Sequence, residues 1–232
     1  MANEFTGFPT EAIDFLEQIK TNNNRDWFLA HKNIYEEKVK GALVRFLEVL
    51  KPRLAKFAPE IEVNPAKAIF RIYRDIRFSQ DKSPYKTHVA ASLPSKDMKD
   101  GMGAVLYFHL ESTEVLIAGG LYHPPSTALL AVRQYIAENS RKLRTIIDST
   151  KFKNQFGGLR GEQLIRVPKG FAADHPAADL LRFKDYLAYV ECPPKLATSP
   201  EIVPFTLQVF RDVMPLVRFL NAGIQRAPRK SF

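Results

Sequence analysis

The sequence predicts an α+β fold: a single compact domain in which a largely antiparallel sheet packs against long helices. Three observations predict it. Helix-period apolar patterns come first and last along the chain, strand-period segments follow one another in between with short connections, and strict βαβ alternation is missing. The last point disfavours a Rossmann or flavodoxin architecture. No internal repeat and no linker long or polar enough to divide domains occurs, so 1–232 reads as one domain with length enough for a sizeable core.

Pro9-Thr10 opens the first helix, with Thr10 as N-cap and Ile13, Leu16 and Ile19 as its buried stripe. Residues 21–24, Thr-Asn-Asn-Asn, end it and cap the next, which begins near Arg25. Trp27, Phe28, Val39, Leu43, Phe46, Leu47, Leu50 and Leu54 then recur at three- and four-residue spacing. That pattern predicts a long helix, broken near 31–33 and reaching Pro59. Trp27, His31 and Tyr35 are four apart and share a face. They form either a ligand wall or a packed aromatic face with a satisfied histidine, and the second is the commoner arrangement.

Residues 70–88 crowd charge, aromatics and turn chemistry together. Phe70, Ile72, Ile76 and Phe78 fall on one face at period two, with Arg71, Tyr73, Asp75 and Arg77 on the other, as in a half-buried strand. A helix would align Arg71, Arg74 and Arg77, but β-branched and aromatic content favours the strand. Arg74 falls among the apolar residues, so it is expected to be inward and paired, or re-aimed by a bulge; an unpaired buried guanidinium is costly. Residues 79–86 read as a loop turned by Ser83-Pro84, and 87–93 as the return strand. Eight residues is a long hairpin connection, and long connections are more often functional.

Two further strands follow at 103–110 and 115–121, joined around 111–114. Gly119-Gly120 allows a close approach of backbone to a ligand or a neighbour. Pro124-Pro125-Ser126 caps a helix carrying Leu129, Leu130, Val132 and Ile136, and another starts at Ser140 with Leu143, Ile146 and Ile147. Residues 157–161 form a glycine-rich loop, and 163–167 and 186–191 are short strands around a helix near 177–183. Ser199-Pro200 starts the last helix, interrupted at Pro215 and ending near 221–223.

Charge narrows the function. The chain carries a net +9, and its basic residues cluster in 67–88, 141–153 and 218–232. In the first cluster Lys67, Arg71, Arg74, Arg77, Lys82 and Lys86 face only Asp75 and Asp81. Clustering favours local anion-binding surfaces over a uniform basic coat. Lys82 and Lys86, with the hydroxyls of Ser79, Ser83, Tyr85 and Thr87, supply donors suited to an oxyanion.

Other chemistry finds little footing. There is no Walker lysine loop, no Gly-x-Ser-x-Gly elbow, no cofactor motif, and no histidine pair at metal-ligand spacing among His31, His88, His109, His123 and His175. No metal is therefore expected, although His88 and His109 could meet if their strands pair. Cys192, before Pro193-Pro194, reads as a small buried residue rather than a nucleophile. A single cysteine, the lack of a signal-peptide pattern and the lack of a long apolar run point to a cytoplasmic chain without a membrane partner.

Several runs resemble a known family. Arg74-Asp-Ile-Arg-Phe-Ser-Gln-Asp-Lys-Ser-Pro-Tyr-Lys-Thr-His88 is similar to the hallmark of a conserved hypothetical family, domain-of-unknown-function family 2461. So are Phe5-Thr-Gly-Phe8, Asn23-Asn-Arg-Asp-Trp-Phe28 with His31, Lys32 and Tyr35, and Pro168-Lys-Gly-Phe171. The resemblance covers nearly the whole chain and implies a single domain of about this length. It carries no activity with it.

The expectation is an anion site on the hairpin 70–88, formed by Arg71, Arg77, Lys82, Tyr85, Lys86 and His88, with Arg74, Asp75 and Asp81 in structural or acid–base roles. Its ligand is expected to be small and phosphorylated or otherwise anionic. At about 3.3 Å per residue, Arg71 and Arg77 lie roughly 20 Å apart along a strand. Arg77, Lys82 and Lys86 together suit one phosphate, whereas Arg71 through Lys86 suit RNA or DNA. A phosphate-handling enzyme using Asp75, Asp81, Tyr85 or His88 as acid or base is a further alternative. The remaining reading makes Arg74, Asp75 and Arg77 an ionic network that holds the hairpin.

Overall fold

Four seven-residue strands, β1 (His88–Pro94), β2 (Val105–Glu111), β3 (Val115–Leu121) and β4 (Tyr186–Cys192), form one antiparallel sheet in the order β1-β2-β3-β4. They are seen in a computed structural model, which describes residues 4–77, 79–98 and 101–226. The α+β architecture, a single compact domain, is as the sequence predicts. β1 to β3 form a meander; β4 returns to β3 only after a helical excursion.

Alternation along β2 gives the sheet its two faces. Leu106, Phe108 and Leu110 are buried, while Tyr107, His109 and Glu111 are half-buried on the other side. On the buried face, Phe108 stacks parallel to Phe8 at 5.9 Å and lies 4.6 Å from Phe46. Phe8 belongs to the N-terminal segment and Phe46 to a helix, so one aromatic cluster ties three parts of the chain to the sheet.

The helices begin where the sequence places its caps, with some shifts. α1 (Thr10–Thr21) is preceded by Pro9 as N-cap, not Thr10, and buries Ala12, Phe15, Leu16 and Ile19, with Ile13 only partly covered. Asn24 caps α2 (Arg25–Ala30) by accepting from the Trp27 amide at 2.9 Å. The long helix breaks at His31 as expected. It continues through α3 (Lys32–Ile34), a π-helical stretch (Tyr35–Lys40) and α4 (Gly41–Leu54), which stops short of Pro59. α5 (Pro65–Ala68) leads into the basic segment.

After β3, α6 (Ser126–Ile147) is two helices joined at a kink, with Asn139 at non-helical φ −125° and ψ 26°, so a second helix starts at Ser140 as the sequence pattern predicts. α7 (Thr150–Phe156) and α8 (Ala178–Leu181) precede β4. The expected strand at 163–167 is reduced to isolated bridges at Arg160 and Gln163. α9 (Ile202–Gln225) runs unbroken through Pro215, lies on β3 and packs against α6. Among the described residues, no helix is long and apolar enough to cross a membrane.

The expected strand over 70–78 is the main correction. Among the described residues, only isolated bridges, Ile69 with Ala91 and Tyr73 with Tyr85, join this segment to the 84–91 side. Three amides complete the irregular ladder: Phe70 to Ala90, Lys86 to Ile72 and Arg74 to Pro84. Ile72 is buried as expected, but Phe70 is 44% exposed. Beyond Arg74 the backbone turns, because the Asp75 carboxylate accepts from the Arg77 amide two residues on. Phe78 lies outside the described residues.

Candidate functional site

The acids of the basic hairpin build its loop. After the Asp75 turn, Asp81 makes a second one, accepting from the Ser83 amide at 2.9 Å and the Ser83 hydroxyl at 2.6 Å. Those bonds, with the Arg74 guanidinium, hold its carboxyl well below the usual range. Arg77 donates through Nε and Nη2 to both oxygens of Asp75, at 2.9 and 2.6 Å. Lys82 donates Nζ to the Ile76 carbonyl at 3.0 Å. Arg77 and Lys82 thus already have partners within the loop.

Arg74 is paired, with Asp81, but it is not inward. Its side chain is 27% exposed and that of Asp81 58%, since the chain leaves the strand path where parity would have buried it. Pairs this open contribute little. Arg74→Ala is therefore expected to leave the urea midpoint nearly unchanged, and chemical denaturation checks it; a large loss would mean the pair is effectively buried.

Tyr85 is buried and stacks on Phe28 at 4.2 Å. Asn23 from the α1–α2 connection grips its backbone, accepting from the Tyr85 amide and donating to the Tyr85 carbonyl, both at 3.0 Å. The neighbouring aromatic face is packed too. Trp27 stacks on His31 at 4.2 Å, His31 Nδ1 is 2.8 Å from the Trp27 carbonyl, and Tyr35 lies against Phe15 and Phe28. Of the three, Tyr35 alone lines the cleft described next.

Arg71, Lys86 and His88 come together where the hairpin meets β1. Lys86 Nζ sits over the Phe70 ring, 5.2 Å from its centre. Burial pushes its ammonium below the usual range, and the like charge of Arg71 pushes the same way. Arg71 and Phe70 lie on the edge of a cleft of ≈ 730 Å³, walled by Phe28, Tyr35 and Tyr73 and with Lys32 beside them. A larger hollow of ≈ 810 Å³ around Phe5, Arg45 and Arg53 contains none of the hairpin residues.

The outer face of the sheet carries a second group. β1 and β2 pair, placing His88 opposite Glu111 and Ala90 opposite His109. The small Ala90 leaves room for His88 to reach diagonally and stack on His109, ring centres 4.2 Å apart. The Thr87 hydroxyl donates to Glu111 Oε1 at 3.1 Å and the Thr113 hydroxyl to Oε2 at 3.3 Å. Tyr107 Oη is 3.2 Å from His109 Nδ1, and His109 Nε2 is buried without a hydrogen-bond partner among the described residues. Burial lowers both imidazoles, His88 to about 4 with His109 and Lys86 adding to the effect, so both are neutral at pH 7. Burial also pushes the Tyr107 phenol up to about 12.

Sequence reading assigns no site role to Asn23 or Glu111, and places Glu111 in a turn. A signal for Glu111 exists all the same: Tyr107, His109 and Glu111 alternate at period two and must share a face. Elsewhere the basic clusters are largely answered locally. Arg144 pairs with Asp179, Lys151 with Asp212, Lys153 with Asp148 and Arg218 with Glu60. Cys192 is half-buried, and burial pushes its thiol up, the opposite of nucleophile activation.

The family described as Conserved hypothetical protein (DUF2461) matches residues 11–219, and the chain belongs to that family. No curated protein matches the chain.

Proposed function

We propose that the chain binds a small phosphorylated or otherwise anionic ligand, held by Arg71 and Lys86 where the hairpin meets the sheet. The observation that carries this reading is a pair of like charges, one of them partly buried, with Asp75 feeling the Arg71 charge but already held by Arg77. Among the described residues neither side chain makes an ion pair, unlike Arg74 and Arg77. An anion there would relieve both their repulsion and the desolvation of Lys86. The adjoining cleft has the volume of an ordinary small-ligand site, and Phe70, Tyr73 and Tyr35 give it apolar walls for the rest of the molecule. Arg77 and Lys82, engaged by Asp75 and by the Ile76 carbonyl, contribute their field more than direct contacts.

A thermal-shift screen in chelator across inorganic phosphate, nucleotides, sugar phosphates, polyphosphate and oligonucleotides tests it, since a ligand that binds only the native state raises apparent stability. A hit among the small phosphates is expected. Arg71→Ala and Lys86→Ala should each weaken that hit by about 1–3 kcal/mol in calorimetric titration. Equal affinity in both variants would remove these residues from the site. Tight binding of oligonucleotides alone, surviving physiological salt and lost in Arg71→Ala, would replace the small ligand with a nucleic acid. Its salt slope would then be about −0.7 to −0.9 per phosphate neutralised.

A further inference from the structure

We propose that His88, His109 and Glu111 form a binding site for a divalent transition-metal ion, with zinc as the probe ion. The ligand atoms of the three residues lie within 4.8 Å of one another, on strands whose register fixes the placement. Two imidazoles and one carboxylate are a donor set of borderline softness, matched to zinc and its first-row neighbours rather than to calcium or magnesium. Three protein ligands on the outer face of a sheet leave a further position for water or substrate, as in catalytic rather than structural zinc sites.

The surroundings fit the role atom by atom. A metal-binding imidazole needs one nitrogen bare and the other engaged. His109 meets this if Nδ1–H donates to Tyr107 Oη, since Nε2 then carries the lone pair, and Nε2 is the buried atom without a partner. His88 turns Nδ1 toward Glu111 Oε1 at 4.0 Å. The Thr87 and Thr113 hydroxyls hold the carboxylate, the kind of outer support that orients metal ligands.

One rearrangement is required. Stacked rings 21° from parallel hold their in-plane lone pairs in two nearly parallel planes, which do not meet at one ion. Tetrahedral zinc with bonds of about 2.0–2.1 Å sets neighbouring ligand atoms about 3.3 Å apart. One imidazole must therefore turn about its side-chain torsions so that the lone pairs converge. His88, 28% exposed at the end of β1, is the freer of the two.

The site uses none of the contacts that define the anion reading, and the two can fail separately: the anion screen is run in chelator, this experiment without added anion. Chelator-stripped protein is titrated with Zn²⁺ by calorimetry, and Co²⁺ is added to read coordination from its visible spectrum. One equivalent is expected, with cobalt bands of a nitrogen- and oxygen-ligated ion. His109→Ala and Glu111→Gln should abolish that equivalent, His123→Ala should leave it intact, and Tyr107→Phe should weaken it by about 10-fold or more. Circular dichroism confirms that each variant is folded; should His109→Ala unfold, Glu111→Gln carries the comparison with the carboxylate's size preserved. Absence of a binding equivalent, or an equivalent unchanged in Glu111→Gln, overturns the site.

Discussion

Asn23→Ala is expected to lower stability by about 2–4 kcal/mol, with the loss centred on the hairpin rather than on the helix that Asn23 follows. One carboxamide satisfies both the amide and the carbonyl of Tyr85, at 3.0 Å each, across 62 residues of chain. Removing it leaves a donor and an acceptor of a buried residue unmet, at about 1–3 kcal/mol each before water re-enters. The Tyr85–Phe28 stack keeps the ring in place but cannot replace those bonds. Urea denaturation gives the total, and amide exchange gives the location: protection at Lys86, whose amide bonds the Ile72 carbonyl, should fall more than protection in α4. A loss under about 0.5 kcal/mol, or one spread evenly over the chain, would show that the hairpin is held by its own turns.

That dependence explains what the sequence reveals and what it hides. The strands 103–110 and 115–121 are legible because alternation and short connections are local properties, and the start of α2 is legible because Asn24 caps it. The segment 70–78 also alternates, with Arg74 as the exception, yet its backbone is governed by Asp75, whose side chain reaches the Arg77 amide and ends the ladder. Residue pattern records burial; it does not record which side chain takes a backbone partner. The site divides the same way. A charge cluster can be counted along the chain, but the partners of Arg74, Arg77 and Lys82 are set by turns, so the count overstates the charge open to a ligand. His88, His109 and Glu111 are joined only by strand register, which fixes the diagonal between the two rings and is invisible until β1 and β2 are aligned.

Gly120→Ala is expected to cost upwards of about 4 kcal/mol, an exceptional loss for a single added methyl group. Two terms combine. Gly120 has φ +139°, a conformation that side chains rarely adopt, worth about 1–3 kcal/mol of backbone strain. A Cβ there would also stand 2.1 Å from the Tyr186 carbonyl oxygen and 3.0 Å from Leu187 Cα. Both are backbone atoms of β4, the strand paired with β3 at this point, so no side-chain rotation can relieve the overlap. β4 would have to move away from β3, carrying Tyr186 out of the core. Gly158 separates the terms, because its φ is +135° but a methyl group added there would meet nothing within 4 Å. Gly158→Ala should therefore show the strain alone, and the difference between the two variants in urea denaturation measures the closeness of β3 to β4. A difference under about 1 kcal/mol would mean that the strands can separate at this position without loss, and that the approach of backbone to backbone at Gly120 is not what the glycine is there to permit.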